Sequence, residues 1–259
     1  MREVSSAEPR IISYETVGST NEEALLRARA GEPGPLWITA TRQQSGRGRR
    51  GRHWVSEPGN LYASLLLTDP SSPERAPQLS FVAALAVLDA VVAHAPSLAR
   101  RITLKWPNDL LLDGAKFVGI LVEAEAAGPA FAAVIGIGVN CRHHPGDTPY
   151  PTTDLAAAGA DLSPEALLDT LAPAMMRRLA QWDRGLGFPS IRADWLAHAA
   201  GIGEDITMRS GDRDLRGRFE AIDETGRLLL RLPDGRVQTI AGGEVISGAA
   251  LPAAAEASS

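Results

Sequence analysis

The feature that most constrains the fold is a change of texture at Gly201. After it come EDITMRS, DLRGRFEAI, RLLLRL, RVQTIAG and GEVIS, short β-like runs separated by GDR, DETG, PDG and GG. Closely spaced strands with tight turns predict a small barrel or SH3-like module of some 45 residues. A module that small is marginal alone, so it is expected to lean on the larger part of the chain.

Before Gly201 the pattern mixes both secondary-structure periods. IISYETV (11–17) reads as a strand, followed by GSTN and then EEALLRARA, with Ala24, Leu25 and Ala28 at helical spacing. Ser19 or Thr20 suits the N-cap, and Glu22 and Glu23 fall in the first turn, where the helix dipole favours negative charge. LWITATRQ (36–43) and NLYASLLLT (60–68) read as strands, and 79–95 as a helix stopped by Pro96. Residues 102–125 read as two strands around a DG turn, and 130–140 as a strand apolar enough to be buried on both faces. A helix interrupted at Pro173 is expected over 164–185 and a shorter one over 191–199. The expected organisation is a mixed α/β domain over 1–200, a β module over 201–249 and a frayed tail over 250–259.

Composition narrows the classes. The 259 residues are 44% hydrophobic and 22% charged, which excludes a wholly disordered or fibrous chain. A net charge of −5 runs against bulk attraction to nucleic acid or anionic lipid. One cysteine, Cys141, excludes an internal disulfide and suits a reducing, cytoplasmic setting. The N-terminal residues lack the apolar stretch of a secretory signal, and the apolar run 81–95 is broken by Asp89 and His94. It is shorter than the ~20 residues of a bilayer span, so no membrane association is expected.

Residues 46–52, GRGRRGR, place four arginines in seven residues of an acidic chain. The string matches G-x-G-x-x-G after a strand, but a dinucleotide fingerprint needs a helix opening inside the glycines. HWVSEPGN follows instead, and Pro58 and Gly59 cannot start that helix. Three readings of the loop stay open on its own residues: a solvated basic loop, a nucleic-acid patch, or a lid over a small anionic ligand or acyl-phosphate intermediate. Glycines let backbone approach and reorganise, and guanidinium groups pair with phosphate.

Lys105-Trp106-Pro107-Asn108-Asp109 stands where a strand should run, although Pro107 removes a ladder hydrogen bond. Such a break marks either a site or an edge strand with a turn. Lys116 heads an apolar strand, as a solvent-reaching end charge or as a point charge beside a developing oxyanion. Gly119 marks a place where a ligand can approach backbone, and GIGVN (136–140) repeats the feature and ends in Asn140.

Taken together, GSTN at 18–21, QQSGRGRRGRHW at 43–54, KWPNDLLLDGAKFVGILVE at 105–123 and GIGVN at 136–140 resemble the biotin protein ligases, in order and in spacing within the long third block. GGE at 242–244 is similar to the family's C-terminal SH3-like module, so the resemblance covers about residues 11–248. It implies an α+β fold: a mixed sheet with helices, class II synthetase-like, followed by a small SH3-like β-barrel. It implies an enzyme that uses ATP, with Mg²⁺, to activate biotin as biotinyl-5'-AMP. The biotinyl group then passes to a lysine of a biotin carboxyl carrier domain, the expected partner. Some members carry an N-terminal DNA-binding domain; this sequence starts directly at the catalytic region and resembles the ligase-only members. The family includes monomers and dimers, which leaves the oligomeric state open between monomer and weak dimer.

The resemblance also implies roles. Ser19, Thr20, Asn21 and Gln43 match positions that contact the biotin head group. Arg47, Gly48 and Arg49 match loop positions at the ligand, while Gly119 and Ile120 lie on the strand that passes beside the valeryl chain. Lys116 matches the lysine at the reacting carboxylate and α-phosphate, and Asn140 a position near the adenylate. Lys116, Arg49 and Asp109 are the catalytic candidates. Asp109 would orient, or accept a proton from, the incoming lysine, although it could equally hold Lys105 or Arg49. A related lipoate-type acyl ligase and a non-enzymatic nucleic-acid-binding module are the alternatives. The arginine loop and KWPND argue against the first, and the net charge against the second. Cys141 is expected to be a small buried residue, and His143 and His144 to be exposed loop residues. Trp182 and Trp195 are expected in the core, and Arg209, Arg213, Arg216 and Arg218 on a solvated face.

Overall fold

The computed structural model describes residues 10–127, 130–211 and 213–248. The stretch 250–259, expected to be a frayed tail, lies outside the described residues. The larger part contains β1 (Arg10–Val17), α1 (Thr20–Arg29), β2 (Leu36–Gln43), β3 (Leu61–Thr68) and α2 (Leu79–His94). It continues with β4 (Ile102–Lys105), β5 (Asp109–Leu112), β6 (Ala115–Ala127), β7 (Ala130–Val139), α3 (Pro164–Trp182) and α4 (Phe188–Leu196). Its seven strands form one sheet in the order β1-β2-β3-β7-β6-β5-β4. β1 and β2 pair in parallel, with α1 as the crossover that parallel neighbours need. The other neighbouring pairs are antiparallel, so the sheet is mixed, as expected.

Three expectations are corrected. Residues 102–125 form three strands, because the chain turns at Trp106–Asn108 and makes β4 and β5 a hairpin. Pro107 stands in that turn, where no ladder donor is required. The helix over 164–182 runs unbroken through Pro173, which lies with Asp169 on its exposed side, so the carbonyl deprived of a donor faces water. It ends where Asp183 turns left-handed at φ 45°. The third correction concerns β7, which is packed along its whole length on one face only.

On β7, Ala133, Ile135, Ile137 and Val139 enter the main core, which also holds the buried residues of α2, α3 and α4. The alternate residues Ala132 and Val134 pack with Ala24, Leu25 and Ala28 of α1. Further along that second face Gly136 lies against Asn21 in the first turn of α1 and Gly138 against Trp54, and there they line a cleft. One strand thus seals a core with its bulky residues and floors a cavity with its smallest, by the two-residue period alone.

α2 is apolar on almost every face, interrupted by Asp89, which pairs with Arg178 of α3. Together with the 3₁₀ turn Pro73–Gln78 that leads into it, the stretch has the length and hydropathy of a membrane span, yet 78% of it is buried within the molecule. α2 is therefore the central core helix, with Phe81 edge-on to Phe188 and Trp195 of α4 at ring separations of 5.7 and 5.3 Å.

The C-terminal module comprises β8 (Asp205–Ser210), β9 (Arg213–Ile222), β10 (Leu228–Arg231), β11 (Val237–Ile240) and β12 (Glu244–Gly248), an antiparallel SH3-like sheet in the order β11-β10-β9-β8-β12. It leans on the larger part: the Trp106 indole donates to the Gly226 carbonyl at 3.0 Å, and Arg192 donates to that of Ile222 at 3.1 Å.

Candidate active site

The cleft lies on the α1 side of the sheet, and the space within it together with its open mouth amounts to about 870 Å³. Its inner end is the N-terminus of α1. Ser19 is the N-cap, but its side chain makes no capping hydrogen bond, which leaves a 4% exposed hydroxyl on the cleft wall. Thr20 donates from both its amide and its hydroxyl to Gln43 Oε1, at 2.9 and 3.0 Å. Gln43 Nε2 in turn donates to Ser56, which fixes the amide's orientation. The Ser64 hydroxyl, with one proton, lies 2.8 Å from Thr20 Oγ1 and 2.6 Å from Asn21 Oδ1. A Cβ at Gly136 would stand 2.2 Å from that same Asn21 oxygen, so only glycine admits the side chain there.

The middle of the cleft is a slot. Gly119 of β6 and Gly138 of β7 are directly paired, and Cβ atoms there would come within 2.7 and 2.6 Å of the Trp54 ring. Trp54 lies flat on this glycine floor, and its indole N–H has no partner.

At the outer end the charges gather. Lys116 owes its direction to an irregularity: Asp109 pairs with Gly119 and Leu110 with Val118, but Leu111 pairs with Lys116. The surplus residue, Phe117, shifts the alternation by one, so Lys116 faces the cleft like Gly119, and Phe117 faces the core. The backbone of Lys116 is held by the Pro151 carbonyl and the Thr153 amide. Its ammonium lies 2.7 Å from Asp109 Oδ1 and 5.5 Å from the ring centres of both Trp54 and Tyr150. Asp109 Oδ1 nevertheless has no aligned hydrogen-bond donor. Lys105 stands 6.0 Å from the centre of the same Tyr150 ring, and burial pulls its pKa down against the charges of Asp109 and Glu244.

The arginine loop is folded over these groups. Trp54 N–H donates to Gly46 O and Gly48 N–H to Arg52 O, closing a tight hairpin in which Arg50 is left-handed at φ 58°. Arg49 donates to Asn108 Oδ1 at 2.8 Å and to the Gly243 carbonyl at 3.0 Å; burial lowers its pKa, with Asp109 acting the other way. Arg52 holds Glu244 through both carboxylate oxygens. Burial pushes the Glu244 pKa up, but the hydrogen bond and charge of Arg52, with Lys105 and Lys116, outweigh it and leave the carboxyl below its usual range. The C-terminal module therefore supplies part of the cleft wall.

The structure thus brings Ser19, Thr20, Asn21, Gln43, Arg47, Gly48, Arg49, Asp109, Lys116, Gly119 and Ile120 to one cleft. Asn140 is not on its wall: it is 3% exposed and donates to the Thr153 carbonyl, bracing the segment that holds Lys116. Trp54, Tyr150, Glu244 and Glu123 were not singled out from sequence. The paired glycines signalled an approach to backbone but could not say that an indole fills the space. Cys141 is buried, its thiol pushed up to about 12, and His143 and His144 are exposed, as expected. Among the described residues no group of three or more His, Cys, Asp or Glu could hold a metal ion.

Residues 15–140 match the Biotin/lipoate A/B protein ligase family, and residues 201–248 match the Biotin protein ligase C terminal domain. The chain is 47% identical over 239 residues to a biotin–[acetyl-CoA-carboxylase] ligase of Paracoccus denitrificans, across 89% of this chain and 97% of that one. The chain belongs to the biotin protein ligase family. It is also 32% identical to the bifunctional ligase/repressor BirA of Bacillus subtilis, over 87% of this chain and 70% of that protein. The biotin protein ligase of Aquifex aeolicus, solved with biotin and ATP, superposes with a TM-score of 0.78 at 26% identity, covering 91% of this chain and 97% of that one. Family membership leaves both halves of the molecule accounted for, sheet and C-terminal module alike.

Proposed function

We propose that this member of the family is an ATP-dependent biotin ligase that makes biotinyl-5'-AMP and transfers the biotinyl group to a lysine of a biotin carboxyl carrier domain. One observation carries the reading: a single cleft joins a neutral, hydrogen-bonding inner end to a cationic outer end over a floor of paired glycines. The inner end suits a ureido ring, with one acceptor and two donors, read by Ser19, Thr20, Asn21 and, through Thr20, Gln43. The slot beside Gly119 and Ile120 suits an unbranched acyl chain lying along Trp54.

At the outer end, the biotin carboxylate attacks the α-phosphorus of ATP, the bond to the bridging oxygen breaks, and pyrophosphate leaves. Two anions must be held together in this step, and Lys116 and Arg49 supply the positive charge to do so. In the second step the carrier amine attacks the acyl carbon, AMP departs, and the amine loses a proton. That amine starts near ~10.4 and must be neutral to attack. Asp109, with an oxygen lacking an aligned donor, is the group proposed to orient it or take the proton. Arg47 and Gly48 close the loop over the intermediate and keep water from the mixed anhydride. Asn140 is proposed to act near the adenylate by bracing the segment around Thr153. Mg²⁺ enters with ATP as part of the substrate, since the cleft's own charged groups are mainly cations. The catalytic unit spans 1–200 and the SH3-like unit 201–249, in a cytoplasmic protein.

ATP–pyrophosphate exchange with MgATP, with biotin in one tube and lipoate in another, tests the proposal. Exchange with biotin alone is expected. Exchange with lipoate alone would move the assignment to the related acyl ligases, and exchange with neither would overturn it.

A further inference from the structure

Glu123 belongs to neither end of the cleft in the scheme above, yet it touches both the head-group wall and the loop. It lies on β6 two residues beyond Leu121, and a single oxygen, Oε2, accepts from Asn21 Nδ2 at 2.8 Å and from Arg47 at 3.2 Å. Asn21 is nearly buried, and its amide nitrogen has one further acceptor, the Leu121 carbonyl at 3.3 Å, while its Oδ1 faces Ser64. The carboxylate therefore decides which way the Asn21 amide points: nitrogen toward β6, oxygen toward the cavity side that Gly136 leaves open. The same oxygen ties down the first arginine of a loop whose glycines would otherwise leave it free to open.

We infer that Glu123 is a positioning residue that couples recognition of the head group to closure of the arginine loop. The inference rests on the biotin-ligase reading and deepens it. A ligand that engages Asn21 steadies the amide, the amide steadies the carboxylate, and the carboxylate retains Arg47 over the reactive intermediate. With the head-group end empty, the Asn21 amide loses the ligand that steadies it, the carboxylate it bonds is held less firmly, and the loop loosens. Retention of a water-labile acyl-adenylate is thereby made conditional on the correct acyl group.

Two substitutions separate the two contacts. Glu123→Gln keeps an acceptor for Asn21 but removes the charge that holds Arg47. Glu123→Ala removes both and leaves the buried amide nitrogen with one long bond, to the Leu121 carbonyl. The pair with Arg47 is partly exposed, 42% and 27% for the two side chains. Its loss is accordingly expected to speed release of preformed biotinyl-AMP by only about three- to fivefold, with biotin KM moved less than about twofold. Glu123→Ala is expected to show the same faster release and, in addition, a biotin KM raised about tenfold, the cost of a buried polar group left under-satisfied.

The deciding measurement is a double-mutant cycle on the full-length protein, using filter capture of labelled adenylate to time its release. Arg47→Gln is expected to speed release in the wild type and to have little further effect in Glu123→Gln. Equal effects of Arg47→Gln in both backgrounds, or release at the wild-type rate from both Glu123 variants, would overturn the coupling. Thermal midpoints of all variants are recorded alongside, and a biotin KM that rises equally in the Gln and Ala variants would reduce Glu123 to a structural role. Wild-type protein that forms no adenylate from biotin would overturn the functional reading, and this inference with it, before any variant is compared.

Discussion

The two ends of the cleft are built on opposite principles. Thr20, Asn21, Ser64 and the half-buried Gln43 are neutral and bonded to one another, with the Glu123 carboxylate only at their edge. Around Lys116, Asp109, Lys105 and Arg49 they are charged and only partly satisfied, down to a carboxylate oxygen without an aligned donor. A buried network with its bonds made is rigid and specific. Charges with unmet capacity are held ready for a partner whose own charge changes during reaction. Under the proposed function, selection and chemistry fall at opposite ends of one cleft.

That contrast can be broken most severely at its charged end. Lys116→Met, which keeps the side-chain length but loses the charge, is expected to slow adenylation by about 10²–10³-fold. Biotin affinity measured by calorimetry should fall far less, since the lysine is remote from the head-group end. Asp109→Asn should slow transfer from preformed adenylate to the carrier by about 10²-fold and exceed its effect on adenylation. Wild-type rates in both separately timed steps would sink the proposed role.

Gly138→Ala tests the boundary between the ends. Its Cβ would press the Trp54 ring, and biotin affinity should drop about tenfold through overpacking, with adenylation of bound biotin less affected. At the neutral end, Thr20→Ala removes one donor to Gln43 and is expected to raise biotin KM about three- to tenfold without changing transfer from preformed adenylate. A loss confined to transfer would reverse the assignment of the two ends.

The smallest effect concerns acid. The Glu244 carboxyl is held below its ordinary value, so its contribution is fully present above the unfolded pKa of ~4.3 and is lost as pH falls through the lower, folded value. The Arg52 Nη–H resonances should report an intact pair at pH 5 and its loss only well into the acid range. Because Arg52 is half exposed, the stability change that accompanies it is expected to be slight.

Much of this was legible beforehand where periodicity and local chemistry agree. The strand–helix–strand opening, the apolar helix of 79–94 and the short strands after Gly201 each follow from a period and its punctuation. GRGRRGR and KWPND drew attention because each breaks a local rule, and both reach the cleft. What could not be read required neighbours distant in the chain. Glu244 meets Arg52 across 192 positions, and Asn140 turned out to brace the wall it was expected to form. Pro173 misled because its effect depends on which side of the helix it occupies, and Pro107 because a single break can divide one expected strand into two.

The largely apolar helix α2 carries one more consequence, which concerns the chain while it is being made. The helices that share its core, α3 and α4, begin at Pro164, 70 residues after its last residue, His94. At ordinary synthesis rates of 5–20 residues per second, that gap lasts roughly 4–14 s. For that interval a segment with the hydropathy of a membrane span stands without its later cover, and every nascent chain must pass through it.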